Sequence, residues 1–181
     1  MEEEKKSIKK IKAMFSRENV IAEKSNETNE LYQKSRFGEI VNEKYQYSLM
    51  EALYLIEKRR MQVKDNKNKV IKADEFIKKS KLIDKNFLIR YNVYKDLRGR
   101  GYIVKTALKF GADFRVYDRG VKPGEDHAKW IVYPVHESTT LTWYEFSAKN
   151  RVAHSTRKNL LIGVVDDEGD CSYWEVMWKR P

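Results

Sequence analysis

The sequence predicts a mixed α/β chain, and three observations carry that prediction. At 181 residues the chain has room for one large domain or two small ones. Its second half alternates strand-like and helical patterns, which together make a mixed α/β domain of about 90 residues. Charge and chemistry are also unevenly divided. Residues 1–90 hold 22 Lys and Arg against 15 Asp and Glu, while residues 91–181 hold 15 against 12. All four Trp and all three His lie in the second half. The basic surface and the chemically capable residues are thus partly separated, which suggests two functional regions.

Taken in order, Met1–Lys10 reads as a frayed charged leader. Ile11–Phe15 and Val20–Ala22 are apolar enough to be paired strands around the polar turn Ser16–Asn19. Glu23–Lys44 is polar and carries no periodicity that assigns it. Ser48 with Glu51 three positions on is a capping box, and Leu49, Ala52, Leu53 and Ile56 form a helical stripe to about Arg60. Met61–Val63 reads as a short strand and Asp65–Lys69 as a turn. Ala73–Lys81 is a short helix with Phe76 and Ile77 inward. A longer helix starts at Asp84, with Phe87, Leu88, Tyr91 and Tyr94 at 3–4 spacing, and stops at Gly99 and Gly101. It opens the second domain, so the division expected is 1–84 and 85–181.

Beyond Gly101, Tyr102–Thr106, Asp113–Tyr117 and Trp130–Val135 read as strands between Gly- and Pro-containing loops. Thr142–His154 reads as a helix. Leu160–Val165 is a nearly continuous apolar run, the pattern of a buried central strand. Asp166–Asp170 is a turn and Tyr173–Trp178 its partner strand.

Composition narrows the function. A formal charge of +10 favours a polyanionic partner, nucleic acid first and an anionic membrane surface second. No apolar run approaches the roughly 20 residues that span a bilayer. The first ten residues are mostly charged, unlike a signal peptide. One cysteine, Cys171, rules out an internal disulfide framework and a cysteine-rich zinc site, so a reducing, cytoplasmic setting is expected. There is no Gly-x-x-x-x-Gly-Lys-Ser/Thr loop, no Gly-x-Gly-x-x-Gly, and no His/Asp/Glu cluster with metal-ligand spacing.

Three residues stand out. Tyr117 ends a strand just before Asp118-Arg119-Gly120, where a side chain is delivered to a loop. A phenol with its ordinary pKa near 10 acts as a base only beside positive charge, and Arg115, Arg119 and Lys158 are candidates. His127 lies in the polar loop Lys122-Pro-Gly-Glu-Asp-His127, and an imidazole is the usual proton donor in metal-free RNA cleavage. His136 reads as a turn residue and His154 as a packed helix residue. Lys158 starts the most apolar strand and is placed to face a phosphate. Each also has a plain structural reading: a packed tyrosine among eleven, an exposed loop histidine, and a lysine that reaches to water from a strand end.

The motifs around these residues resemble the archaeal tRNA-splicing endonucleases. The resemblance rests on Tyr94-Lys-Asp-Leu-Arg-Gly-Arg-Gly-Tyr-Ile-Val-Lys105, Phe110-Gly-Ala-Asp-Phe-Arg-Val-Tyr117, Arg151-Val-Ala-His-Ser-Thr-Arg-Lys158 and Leu160-Leu-Ile-Gly-Val-Val-Asp-Asp-Glu-Gly-Asp170. In the first half it is thinner, best at Ser48-Leu-Met-Glu-Ala-Leu-Tyr-Leu-Ile56. It implies an N-terminal α/β unit, a C-terminal nuclease-like catalytic domain, and a precursor tRNA substrate cut at bulge-helix-bulge motifs. The products it implies are a 2′,3′-cyclic phosphate and a 5′-hydroxyl, formed without a metal or other cofactor. Tyr117 then maps to the base, His127 to the acid, and Lys158 to the group that stabilises charge on phosphorus. Arg151 matches an arginine that clamps a bulged base. For its partner, Tyr173 is favoured over Trp174, because Trp174, Val176 and Trp178 share one strand face expected to be buried. The family pattern also implies a homotetramer, docked through the acidic loop Asp166–Asp170 and the C-terminal strand. The rival readings are a non-catalytic subunit of a mixed assembly and a basic RNA-binding module without activity.

Overall fold

The fold is that of a computed structural model, which describes residues 9–107, 111–121, 124 and 127–179. These residues fall into two compact units that meet in sequence between Lys85 and Asn86. Most of the leader expected at Met1–Lys10, and Lys122, Pro123, Glu125 and Asp126 of the His127 loop, lie outside the described residues.

The first unit is a six-stranded sheet with three helices. Strands β1 (Ile11–Ser16), β2 (Asn19–Ala22), β3 (Glu39–Val41), β4 (Lys44–Ser48), β5 (Met61–Lys64) and β6 (Val70–Ile71) are ordered β3-β4-β2-β1-β5-β6. The expected β1–β2 hairpin is present, and β5 runs parallel to β1. The segment without periodicity holds helix α1 (Asn26–Ser35) and strand β3. Helix α1 is started by Ser25 in a capping box closed by Thr28 rather than by an acidic residue. Between β3 and β4, Asn42 and Glu43 both take positive φ, as tight hairpin turns demand.

Helix α2 (Leu49–Glu57) begins at the Ser48–Glu51 capping box, worth about 1 kcal/mol by comparison with capped helices generally. Helix α3 (Ala73–Ile83) buries Phe76 fully, and Asp84 is its C-cap. The longer helix expected from Asp84 therefore starts later, as α4 (Phe87–Gly99). Asp84 reads as a helix start because its carboxylate suits an N-terminus, but here the chain turns extended at that residue. Val20, Tyr47, Leu53, Val63 and Phe76 form the buried centre of this unit.

In the second unit, β7 (Ile103–Thr106), β8 (Phe114–Tyr117), β9 (Trp130–His136), β10 (Asn159–Val165) and β11 (Cys171–Val176) form one sheet ordered β11-β10-β9-β8-β7. Only β9 and β10 are parallel, and helix α5 (Trp143–Ser155), capped by Thr142, connects them. Helix α4 packs on one face of the sheet. Gly163 permits that approach, since a Cβ there would sit 2.9 Å from Val93 Cγ2. On the other face, Ala153 of α5 joins Ile131, Tyr133 and Leu160, with Val176 packed against them.

The face of β11 expected to be buried is only partly so. Val176 packs into the core, but Trp174 is 66% exposed and Trp178 47%. β11 is an outermost strand of the sheet, so its side chains have a neighbouring strand on one side only, and His154 of α5 covers just part of Trp178. Strand β11 also begins at Cys171 and ends at Val176, earlier than the expected Tyr173–Trp178.

Candidate active site at one end of the C-terminal sheet

Strand direction assembles this site. Strand β8 ends at Tyr117, β9 begins three residues after His127, and β10 begins directly after Lys158. In the ladder Val116 pairs with Trp130 antiparallel, and Trp130 pairs with Asn159 parallel. The C-terminal end of β8 and the N-terminal ends of β9 and β10 therefore lie side by side. Two backbone bonds extend the alignment past the strands, Lys129 N to Val116 O at 2.9 Å and Asn159 N to Lys129 O at 3.1 Å. Three residues far apart in sequence thus reach one edge of one sheet.

Each is held differently. Tyr117 is buried and packs with Ile103, Val121 and Ala128, the last being the residue after His127. The His127 side chain is exposed at that edge. Lys158 follows the tight exit from α5, where Arg157 takes positive φ and Lys158 N bonds Ala153 O at 2.9 Å. The Lys158 ammonium donates to Thr156 O at 2.6 Å. Burial first, and then the like charge of Arg115, push its pKa below that of an ordinary lysine. Arg115 lies two residues before Tyr117, on the same face of β8. Its Nε is shielded from solvent and has no hydrogen-bond partner among the described residues.

The two rival histidines are elsewhere or otherwise engaged. His136 ends β9 at the opposite end of the sheet, with Nε2 3.2 Å from Asp167 Oδ1 and Nδ1 2.8 Å from Ser138 Oγ. His154 is in the last turn of α5 and stacks on Trp178, with ring centres 5.1 Å apart.

Arg151 is exposed on α5. Tyr173 lies on the α4 face of the sheet, where its hydroxyl donates to Asp96 Oδ2 at 2.8 Å and Arg100 stands 5.9 Å over its ring. Burial and the Asp96 bond push the Tyr173 pKa up. Arg151 and Tyr173 are thus on opposite sides of the sheet, whereas Trp174 shares the α5 side with Val176. Among the described residues no three His, Cys, Asp or Glu side chains converge as a metal ligand set.

The sequence reading missed a support beside the site. Glu175 Oε1 accepts from Asn159 Nδ2 at 2.6 Å and from Trp130 Nε1 at 2.9 Å. One carboxylate therefore ties the first residue of β10 to the first residue of β9. Those two donors, Asn159 foremost, hold the Glu175 pKa below the usual carboxylate range. The spacing between Asn159 and Glu175 gives no sign of this pairing, which exists only once β10 and β11 are in register.

Known families match both units. Residues 11–77 match the N-terminal domain of tRNA intron endonuclease, and residues 87–173 match its catalytic C-terminal domain. The chain belongs to the tRNA intron endonuclease family. It is 51% identical to a tRNA-splicing endonuclease of Nanoarchaeum equitans, over 74% of this chain and 88% of that protein. It is 42% identical to one from Thermococcus kodakarensis, over 92% and 96%. A third, from Pyrococcus horikoshii, is 41% identical over 95% and 98%. The catalytic-domain match of this endonuclease spans Tyr117, His127 and Lys158 together, and also Arg151 and Tyr173. Its fold is mixed α/β, as the sequence predicts.

Proposed function

We propose that this endonuclease excises introns from precursor tRNA by metal-independent cleavage at bulge-helix-bulge motifs, leaving 2′,3′-cyclic phosphate and 5′-hydroxyl ends. Tyr117 takes the proton of the internal 2′-hydroxyl, which attacks the adjacent phosphorus. His127 gives a proton to the departing 5′ oxygen. Lys158 stabilises the extra negative charge on the phosphate oxygens. The observation that carries this reading is the meeting of three strand ends, which brings a phenol, an imidazole and an ammonium to one edge of one sheet.

The chemistry suits such a small set. A 2′-hydroxyl already stands beside its phosphate, so positioning supplies much of the rate. Proton transfer and charge stabilisation remain for the protein, each typically worth a factor of about 10² or more. The need for a 2′-hydroxyl makes DNA an inert ligand.

One set per chain and two cuts per intron imply an assembly, and a homotetramer is the proposal. The exposed acidic turn Asp166–Asp170 docks on basic surface of another copy, and β11 with its exposed Trp174 joins two copies. Arg151 holds a bulged base out of the stack, together with an aromatic ring. Exposure favours Trp174 for that ring, since the Tyr173 hydroxyl is engaged with Asp96. Among the described residues no helix is long and apolar enough to cross a membrane, and we place the enzyme in the cytoplasm.

The test is incubation of a bulge-helix-bulge RNA with the full-length protein and excess chelator. The expected products end in cyclic phosphate. Products with 3′-hydroxyl and 5′-phosphate ends, or none, would overturn the mechanism.

A further inference from the structure

At the same edge as Tyr117, but on the α4 face of the sheet, two aromatic rings and two cations form a continuous stack. Trp130 and Tyr102 meet edge to face, with ring centres 5.4 Å apart. Arg119 lies over the Tyr102 ring at 5.1 Å, and the Lys129 ammonium over the Trp130 ring at 4.4 Å. The Trp130 ring is held through its indole N–H, and the Tyr102 backbone is tied down beside it. Glu175 takes the Trp130 indole N–H, and Arg98 Nη1 reaches the Tyr102 carbonyl at 3.3 Å. Lys129 is also 3.6 Å from Asp118, a pair open to solvent on both sides. Trp130 is buried, whereas the Lys129 and Arg119 side chains that lie on the rings are exposed.

We infer that Arg119 and Lys129, held on the Tyr102–Trp130 pair, form a shelf that grips phosphates of the RNA strand next to the cleavage site. This inference rests on the RNA-cleaving reading above. Arg119 follows Tyr117 by two residues and Lys129 follows His127 by two, so a strand placed for cleavage passes along this edge. The ring faces are already covered by cations, which makes the shelf a poor platform for stacking a base. The outward N–H groups of a guanidinium and an ammonium remain suited to phosphate oxygens. Stacking on rigid rings restricts two otherwise mobile side chains before RNA arrives. A phosphate displaces Asp118 from Lys129, because the pair is longer than a hydrogen bond and solvent-screened.

The test is cleavage kinetics of the assembled full-length protein over a range of salt concentrations. Arg119→Met and Lys129→Met each raise KM about three- to tenfold, with a smaller fall in kcat. Each lowers the slope of log affinity against log salt by about 0.7 to 0.9, the loss of one phosphate contact. Lys129→Arg restores the slope, and Asp118→Asn lowers KM about two- to threefold. These last two variants retain charge or size, so a folding defect in the Met variants leaves the inference open to refutation. Unchanged salt slopes overturn it. So does a lowered solution mass in the double variant, which would make the shelf a docking surface for the acidic turn of another copy. Wild-type protein that fails to cut the RNA at all refutes the underlying reading instead.

Discussion

The two ends of the C-terminal sheet are built from the same strands and are opposite in chemical character. At one end lie Tyr117, His127 and Lys158, with Arg115, Arg119 and Lys129 around them. At the other, β9 and β10 finish together at His136 and Val165 and lead into Asp166–Asp170. There Asp166 Oδ1 accepts from the amides of Glu168 and Asp170, and His136 pairs with Asp167. Seven-residue strands separate the two ends by roughly 20 Å. A cationic end fits a phosphodiester, and an acidic end fits basic protein surface. The difference teaches that function here follows strand direction rather than overall charge. The more basic half of the sequence contains no His and no Trp.

The largest expected effect breaks the comparison most easily. His127→Ala slows single-turnover cleavage about 10²- to 10⁴-fold while RNA affinity changes little. His136→Ala, at the acidic end, leaves the chemical step within a few fold. If His136→Ala or His154→Ala proves the more damaging, the acid has been placed at the wrong residue.

Lys158→Ala comes next, with a loss of about 10²- to 10³-fold that falls on turnover rather than binding. Equal losses in the two would make Lys158 a simple RNA contact. At the other end, if the proposed tetramer forms through the acidic turn, neutralising Asp167, Glu168 and Asp170 together lowers the solution mass, and cleavage falls about tenfold or more with it. An unchanged mass would remove the acidic turn from the assembly.

The smallest effect is a shift in pH dependence. Burial and Arg115 depress the Lys158 pKa, so the ammonium loses its proton at lower pH than an ordinary lysine. Activity that needs it charged falls as pH rises through that value. Arg115→Gln removes a like charge, raises the Lys158 pKa and moves the alkaline limb of the rate profile to higher pH. A limb that stays in place would show that Arg115 does not act on Lys158.

Much of the fold was legible because local signals agreed with it. The Ser48–Glu51 box, the β1–β2 hairpin and the apolar run of β10 each follow from neighbouring residues. Helix α1 was hidden because Thr28 closes its capping box and only Thr28 and Leu31 are buried, leaving almost no apolar stripe. Asp84 misled because an acidic residue suits a helix start, whereas here it stands at the C-cap of α3, against the preference of the helix dipole. Tyr117, His127 and Lys158 are proposed from flanking motifs. Glu175 and the edge-to-face Tyr102–Trp130 pair could not be read there, since they depend on register across strands up to 45 residues apart. The exposure of Trp174 was equally out of reach, because sequence alternation gives a face but not how far a covering helix extends.

The central claim is that one sheet edge supplies a separate base, acid and charge stabiliser. The most direct measurement replaces the 5′ bridging oxygen at the cut site with sulfur, a leaving group that needs no proton. The account predicts that His127→Ala regains most of its lost single-turnover rate on this RNA, while Tyr117→Phe and Lys158→Ala remain slow. Equal rescue of all three variants, or of none, would contradict it.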